Sequence, residues 1–150
     1  MRSRVVIPET RRLDLSDGDW ILVRKRLTHG ETQEAFKRRY LAGLDGKLHV
    51  DPMQIGHAQI VAYLVDWSLT NPDGTTIAIK GQGAEFVEGA LNSFDDEDVV
   101  EILAAIRQHE VDMYTAREAE KKTIPSGANG SSPISKSPAP VVGDSSGSVN

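Results

Sequence analysis

The chain predicts an α+β fold, helix-dominated, with an N-terminal β-hairpin, a second short hairpin, three to four helices and a disordered C-terminal tail. Three observations carry that expectation. An Asp17-Gly18 turn separates two short apolar runs. Helix-start chemistry recurs at Thr28 and at Asp51-Pro52. A stretch from about Phe94 to Lys122 runs from acidic to basic and carries an apolar stripe at helical spacing. Hairpins come early and helices dominate later, which is the α+β order.

The elements follow in turn. Arg4 to Thr10 contains Pro8, which removes a ladder donor, so this stretch is an edge strand or an arm. Leu13 and Leu15 alternate up to Ser16-Asp17-Gly18-Asp19, and Trp20-Ile21-Leu22-Val23 follows. Asp-Gly supplies the positive φ angles of a tight turn, so these runs form a hairpin. Thr28-x-x-Glu31 is a capping box. Phe36, Tyr40 and Leu44 then recur every four residues beside Leu41, one apolar helix face that ends at Gly43 and Gly46.

Asp51 suits an N-cap and Pro52 the first helical position. Met53, Ile60, Val61, Leu64 and Val65 form the expected buried stripe of that helix. Trp67 to Thr70 reads as a strand, Asn71-Pro72-Asp73-Gly74 as a turn, and Thr75 to Lys80 as its return, with Ile77 and Ile79 on one face. A short helix spans about Ala84 to Leu91. The last helix carries Asp95, Asp96, Glu97 and Asp98 in its first turn and Arg117, Lys121 and Lys122 in its last, matching the helix dipole. Val99, Ile102, Leu103, Ile106 and Met113 make its inner stripe. Beyond Met113 it turns polar, which predicts protrusion from the body. No internal repeat is visible.

The expected organisation is one domain over residues 1–122 and a tail over 123–150. Residues 123–150 hold eight Ser, four Gly and four Pro but only one Lys and one Asp. Such composition buries too little apolar surface to offset the entropy of ordering. The chain has no Cys, which excludes disulfides, thiolate metal sites and thiol catalysis. No run approaches the ~18 apolar residues of a membrane helix, and the N-terminus has no apolar stretch of signal-peptide type. Net charge is −5, unevenly spread. Residues 1–50 carry 11 Lys/Arg against 7 Asp/Glu, and residues 51–122 carry 5 against 14. The split suits a charge-complementary or head-to-tail contact, or two differently solvated faces.

No catalytic set emerges. His29, His49, His57 and His109 lack the close spacing of a zinc motif, so structural or solvated roles are expected. Asp95 to Asp98 lacks the ligand spacing and central Gly of a calcium loop. Gly81-Gln82-Gly83 lacks the rest of a phosphate loop. No metal, cofactor or catalytic residue is therefore assigned. The basic triplets Arg24-Lys25-Arg26 and Lys37-Arg38-Arg39, with Arg11 and Arg12, raise nucleic acid as a ligand. The chain around them is acidic overall and no stacking aromatics interleave, which favours solvated faces or a protein partner. Trp20 and Trp67 each begin an apolar run and belong to the core or its rim, or anchor an interface. The candidates for partner binding are Trp20, Arg24, Lys25, Arg26, Lys37, Arg38 and Arg39.

The order of these segments carries a resemblance. Ile7-Pro8-Glu9-Thr10 leads into Leu13-x-Leu15-Ser16-Asp17-Gly18-Asp19-Trp20, then a charged strand, then Leu27-Thr28-x-Gly30-Glu31. A basic helix follows, then Val65-Asp66-Trp67-Ser68, the Asn-Pro-Asp-Gly turn and Ala90-Leu91-Asn92-Ser93. A long helix ends Glu118-Ala119-Glu120-Lys121-Lys122 before a Ser/Pro tail. Across about residues 5–122 this resembles the tail assembly chaperones of long-tailed (siphovirus-like) bacteriophages. The resemblance implies a non-enzymatic protein of the host bacterial cytoplasm. It would bind the tape measure protein, assist tail tube assembly and be absent from the virion. It also implies the shorter of two forms made by frameshifting. The partners so implied are the tape measure and tail tube proteins; the residues themselves argue against a membrane and disfavour nucleic acid, and a homo-oligomer is compatible. The alternatives are a structural virion protein, such as a tail tube or head-tail connector subunit, and a small nucleic-acid-binding regulator.

Overall fold

A computed structural model describes residues 3–123. The expected disorder of the tail lies outside the described residues. The chain divides into two units, Met1–Tyr114 and Thr115–Asn150. Every element described below begins in the first, and α4 runs on into the second.

The fold is α+β. The element order is β1 (Thr10–Asp14), β2 (Trp20–Arg24), α1 (His29–Lys37), β3 (Tyr40–Ala42), β4 (Leu48–Val50), α2 (Pro52–Tyr63), β5 (Leu64–Trp67), α3 (Ala84–Asn92) and α4 (Asp96–Thr123). The strands form an antiparallel three-stranded sheet, β1-β2-β5, and a separate β3-β4 ribbon.

The N-terminal hairpin forms where the Asp-Gly signal places it. Asp17 (φ 58°) and Gly18 (φ 82°) both take positive φ. The Leu15 N–H donates to the Asp19 carbonyl at 2.8 Å, which leaves a three-residue loop. The Ser16 N–H and hydroxyl donate to the Glu101 carboxylate at 2.6 and 3.0 Å, tying the hairpin tip to α4. Arg4 to Glu9 form no strand, and β1 starts at Thr10. Alternation turns Ile21 and Val23 of β2 inward, both fully buried. They meet Ile60 of α2, Leu64 and Trp67 of β5, Ile79, Val87 and Leu91 of α3, and Ile102 and Ile106 of α4 in one core.

The helix caps also match their signals. The Thr28 hydroxyl accepts from the Glu31 N–H, and the Glu31 carboxylate accepts from the Thr28 N–H. The Asp51 carboxylate accepts from the Met53 N–H ahead of Pro52. The Asp95 carboxylate accepts from the Glu97 N–H at the start of α4, a helix-terminal role for the acidic run.

Three expectations are corrected. The helix after Thr28 ends at Lys37, not near Gly43, and Tyr40–Ala42 pairs with Leu48–Val50 instead. The cause is a second Asp-Gly turn. The Gly43 N–H donates to the Lys47 carbonyl at 2.8 Å, Gly46 adopts φ 77°, and the Asp45 carboxylate accepts from the Lys47 N–H. That last bond, with His49 beside it, holds the Asp45 carboxyl below its ordinary range. The strand expected at Trp67–Thr70 lies three residues earlier, at Leu64–Trp67, where it pairs with β2. The return hairpin survives as a turn closed by one bridge, Thr70 to Thr76. Its ladder stops because the Ile77 carbonyl accepts from the Trp67 indole N–H at 2.7 Å. Ile79 nevertheless turns inward as expected. Finally, Met53 is exposed rather than part of the α2 stripe, and Ala58 is buried in that helix.

α4 approaches α2 closely. A Cβ at Gly56 would stand 3.0 Å from Leu103 Cδ2, so the glycine leaves room for that leucine. On the buried side of α4, His109 is fully enclosed. Its Nε2 lies 2.9 Å from the Arg24 carbonyl, its Nδ1 lies 3.4 Å from Arg11 Nη1, and Tyr63 stands edge-on at 5.7 Å. A carbonyl only accepts, so Nε2 carries the proton and Nδ1 presents its lone pair to Arg11. Arg11 also pairs with Asp112 at 3.1 Å.

Two outcomes follow from this contact. His109→Leu keeps an apolar body but strands the Arg24 carbonyl, which should lower unfolding free energy by ~1–3 kcal/mol in urea titration; an unchanged midpoint would contradict the assigned bond. Gln108 and Arg11 hold the Asp112 carboxyl below its ordinary range. A carboxyl depressed in the folded state stabilises above its unfolded value and loses that contribution as pH falls through the folded value. Asp112→Asn should therefore lower the melting temperature at neutral pH, and the difference from wild type should vanish as pH falls through the folded value, which flattens the acid limb of the profile.

Candidate functional site

The residues singled out from the sequence fall into two groups: those that hold the framework together and those that face solvent. Arg24 belongs to the framework. Its Nη1 donates to the Ala62 and Leu64 carbonyls at 3.0 and 3.3 Å, and its Nε pairs with Glu31 at 3.1 Å. The Ala62 carbonyl lies at the end of α2, where no intrahelical donor remains, so the guanidinium acts as its cap. Glu31 therefore serves both the cap of α1 and the side chain of β2.

Lys25 pairs with Glu9 at 3.0 Å, and its N–H continues the hairpin ladder to the Glu9 carbonyl. Arg38 pairs with Glu88 of α3 at 3.7 Å, and Lys37 with Glu34 one turn back at 3.2 Å. Arg39 is partly buried, with its Nε enclosed and without a hydrogen-bond partner. Arg26 is exposed. The two triplets thus do not form one basic patch. Four of their six cations are engaged in ion pairs within the chain.

Trp20 and Trp67 separate. Trp67 is a core residue. Trp20 sits on the opposite face of the sheet, half-buried, with the Arg12 guanidinium 5.2 Å from its ring centroid. Its backbone N–H donates to the Ser68 hydroxyl at 2.9 Å. Trp20 is therefore a surface residue shielded on one side.

An exposed apolar surface lies elsewhere, on the β3-β4 ribbon, whose first strand was expected to be helix. Opposed residues of an antiparallel pair point to the same side. Tyr40 faces Val50 and Ala42 faces Leu48, so these four share one face of the ribbon. Phe36 joins them through a ring contact with Tyr40 at 5.1 Å. Leu48 is 71% exposed, and Phe36, Val50 and the neighbouring Met53 are also exposed. Residues 36–50 carry four Lys/Arg against one Asp. Lys37 and Arg38 are paired with Glu34 and Glu88, so the surround is mixed in charge, and it is the solvent-facing apolar cluster that has the composition of an interaction surface. The signal was present in the sequence. Asp45-Gly46 lies between Tyr40-Leu41-Ala42 and Leu48-His49-Val50, the spacing of a short hairpin.

Two clefts lie among the described residues. One of about 180 Å³ beside the first hairpin is lined by Asp17, Asp19, Asp98 and Glu101, and the Glu101 carboxylate is already occupied by Ser16. Another, of about 380 Å³, lies between α1 and α2 over Gly30, Ala35, Ala58 and Ala62. Among the described residues, no three His, Asp or Glu side chains are grouped to hold a metal ion. Among the same residues, no helix is long and apolar enough to cross a membrane.

The division between framework and surface cations has a measurable consequence. Arg24→Ala removes the α2 cap and the Glu31 pair together and should cost about 1–3 kcal/mol of stability. Arg26→Ala should change stability by less than roughly 0.5 kcal/mol. Equal effects in thermal denaturation would overturn the assignment. Comparison of the chain with protein-family models, with curated proteins and with solved structures finds no match.

Proposed function

We propose that this protein is a non-enzymatic chaperone of phage tail assembly, acting in the host cytoplasm. It holds the tape measure protein in soluble form and assists assembly of tail tube protein around it. The observation that carries the reading is the apolar face of the β3-β4 ribbon, with Leu48, Val50 and Phe36 open to solvent. A long helical client with an apolar stripe has the matching chemistry. The segment order from Ile7 to Lys122, which resembles tail assembly chaperones, supplies the identity of that client.

The test is co-expression with the tape measure protein encoded in the same genome. The client should become more soluble and co-purify with the chain. Leu48→Asp combined with Val50→Asp should abolish capture without shifting the melting temperature, because both side chains are exposed. Wild-type chain that captures no tape measure protein at low salt would sink the reading. Stoichiometric amounts in purified virions would instead indicate a structural subunit.

A further inference from the structure

The two edges of the β1-β2-β5 sheet differ. At β5 the chain occupies its own edge. The Trp67 N–H donates to the Asp66 carboxylate at 2.9 Å, and the Trp67 indole N–H donates to the Ile77 carbonyl. β1 has no such cover. The Leu15 N–H donates to the Asp19 carbonyl and the Lys25 N–H to the Glu9 carbonyl, and between them Arg11 stands opposite Val23 and Leu13 opposite Ile21. Bonded pairs alternate along an antiparallel ladder, so Arg11 and Leu13 bond to β2. Thr10, Arg12 and Asp14 then turn their N–H and C=O groups outward. Among the described residues no backbone group pairs with those three, and all three are exposed. Pro8, the preceding outward position, has no N–H, so the open edge begins at Thr10.

α4 lies along this edge. Ser16 meets Glu101 at one end, and Arg11 meets Asp112 at the other. The helix between those carboxylates rises ~16 Å, and the strand between their partners spans about the same length. α4 therefore runs antiparallel to β1 beside its whole length. Successive helical residues turn by about 100°. Ile102, Ile106 and His109 thus face the core, and Glu101 and Asp112 face β1. Val100, Ala104, Gln108 and Val111 come next around the helix, on the side of β1 away from the core, and all are exposed. None of them is charged. The open edge of β1 and this largely apolar flank of α4 form one continuous corner.

We propose that an extended segment of a partner protein adds to β1 as a further antiparallel strand of this sheet. The outward N–H and C=O groups of Thr10, Arg12 and Asp14 supply the ladder, as in other strand additions. Residues of the segment directly opposite those three share their outer face. The Asp14 carboxylate there is 81% exposed, and its pair with Arg12 is a solvent-exposed one of little strength. A Lys or Arg opposite Asp14 is therefore the matching residue. Alternate residues of the segment turn inward onto Val100, Ala104 and Val111, which suits Val or Ile. The occupant is thus an extended segment that begins with a cation and carries β-branched apolar residues at every second position. This corner is separate from the β3-β4 ribbon, so the inference and the proposed function fail independently.

Residue-resolved amide exchange of the full chain tests it, with the capped peptide Lys-Val-Thr-Val-Thr-Val-Lys as the probe at up to about 1 mM. The peptide should slow exchange at Thr10, Arg12 and Asp14 and leave Arg11 and Leu13, already bonded to β2, unchanged. The same peptide N-methylated at both threonines loses the donors that face β1 and should give no protection. Ala104→Lys places a long cation on the exposed flank of α4 and should weaken binding about tenfold or more at an unchanged melting temperature. Val111→Lys serves the same purpose if the first variant loses helical circular dichroism. Protection absent from Thr10, Arg12 and Asp14 would overturn the proposal, as would an N-methylated peptide that binds equally well. Amides that become protected on concentrating the chain alone would assign the edge to a second copy and overturn it too.

Discussion

The backbone and side chain of Arg24 serve different neighbours, and most of the first unit is organised around that residue. Its carbonyl accepts from the buried His109 of α4 at 2.9 Å. Its guanidinium caps the end of α2 and pairs with Glu31, which itself closes the cap of α1. His109 in turn faces Arg11 of β1, which pairs with Asp112. One strand position thus links β1, α1, α2 and α4. Burying an unpaired polar group costs more than a paired one returns, so each member of this network constrains the placement of the others. The apolar core supplies bulk stabilisation, but apolar contact is non-directional. The polar bonds select one packing of helices on the sheet.

The same constraint explains why the cations of the two triplets do not form a binding patch. Arg24, Lys25 and Arg38 are drawn to carboxylates on other segments by the packing of those segments. The apolar residues of the β3-β4 ribbon have no such obligation. The ribbon is short and two-stranded, so both of its edges are unpaired within their own sheet. It also stands apart from the core cluster, to which none of its residues belongs. This surface adds nothing to the core and keeps Leu48, Val50 and Phe36 in water.

Local signals were legible where the chemistry is local. The Asp17-Gly18 turn, the Thr28 capping box, the Asp51-Pro52 start and the acidic opening of α4 all act within a few residues, and each appears at its expected place. Periodicity succeeded in the long α4, where Ile102 and Ile106 are buried. It failed at Phe36, Tyr40 and Leu44, whose four-residue spacing imitates a helix face. Three matches over one short stretch do not outweigh an Asp-Gly turn that closes a hairpin between Tyr40–Ala42 and Leu48–Val50. The Leu64–Trp67 strand was displaced because its place depends on pairing with β2, far away in the chain.

The sequence by itself determined the class of fold, the positions of turns and caps, and the division into a basic first part and an acidic second part. These depend on backbone chemistry and composition, which neighbours along the chain decide. Only the tertiary structure decided which cations are spent on the framework, which tryptophan enters the core, and which apolar side chains remain outside. Trp67 and Trp20 look alike in their local settings, but one faces the core and the other the outer side of the sheet. Burial and ion pairing are set by partners dozens of residues away, and no local pattern contains them.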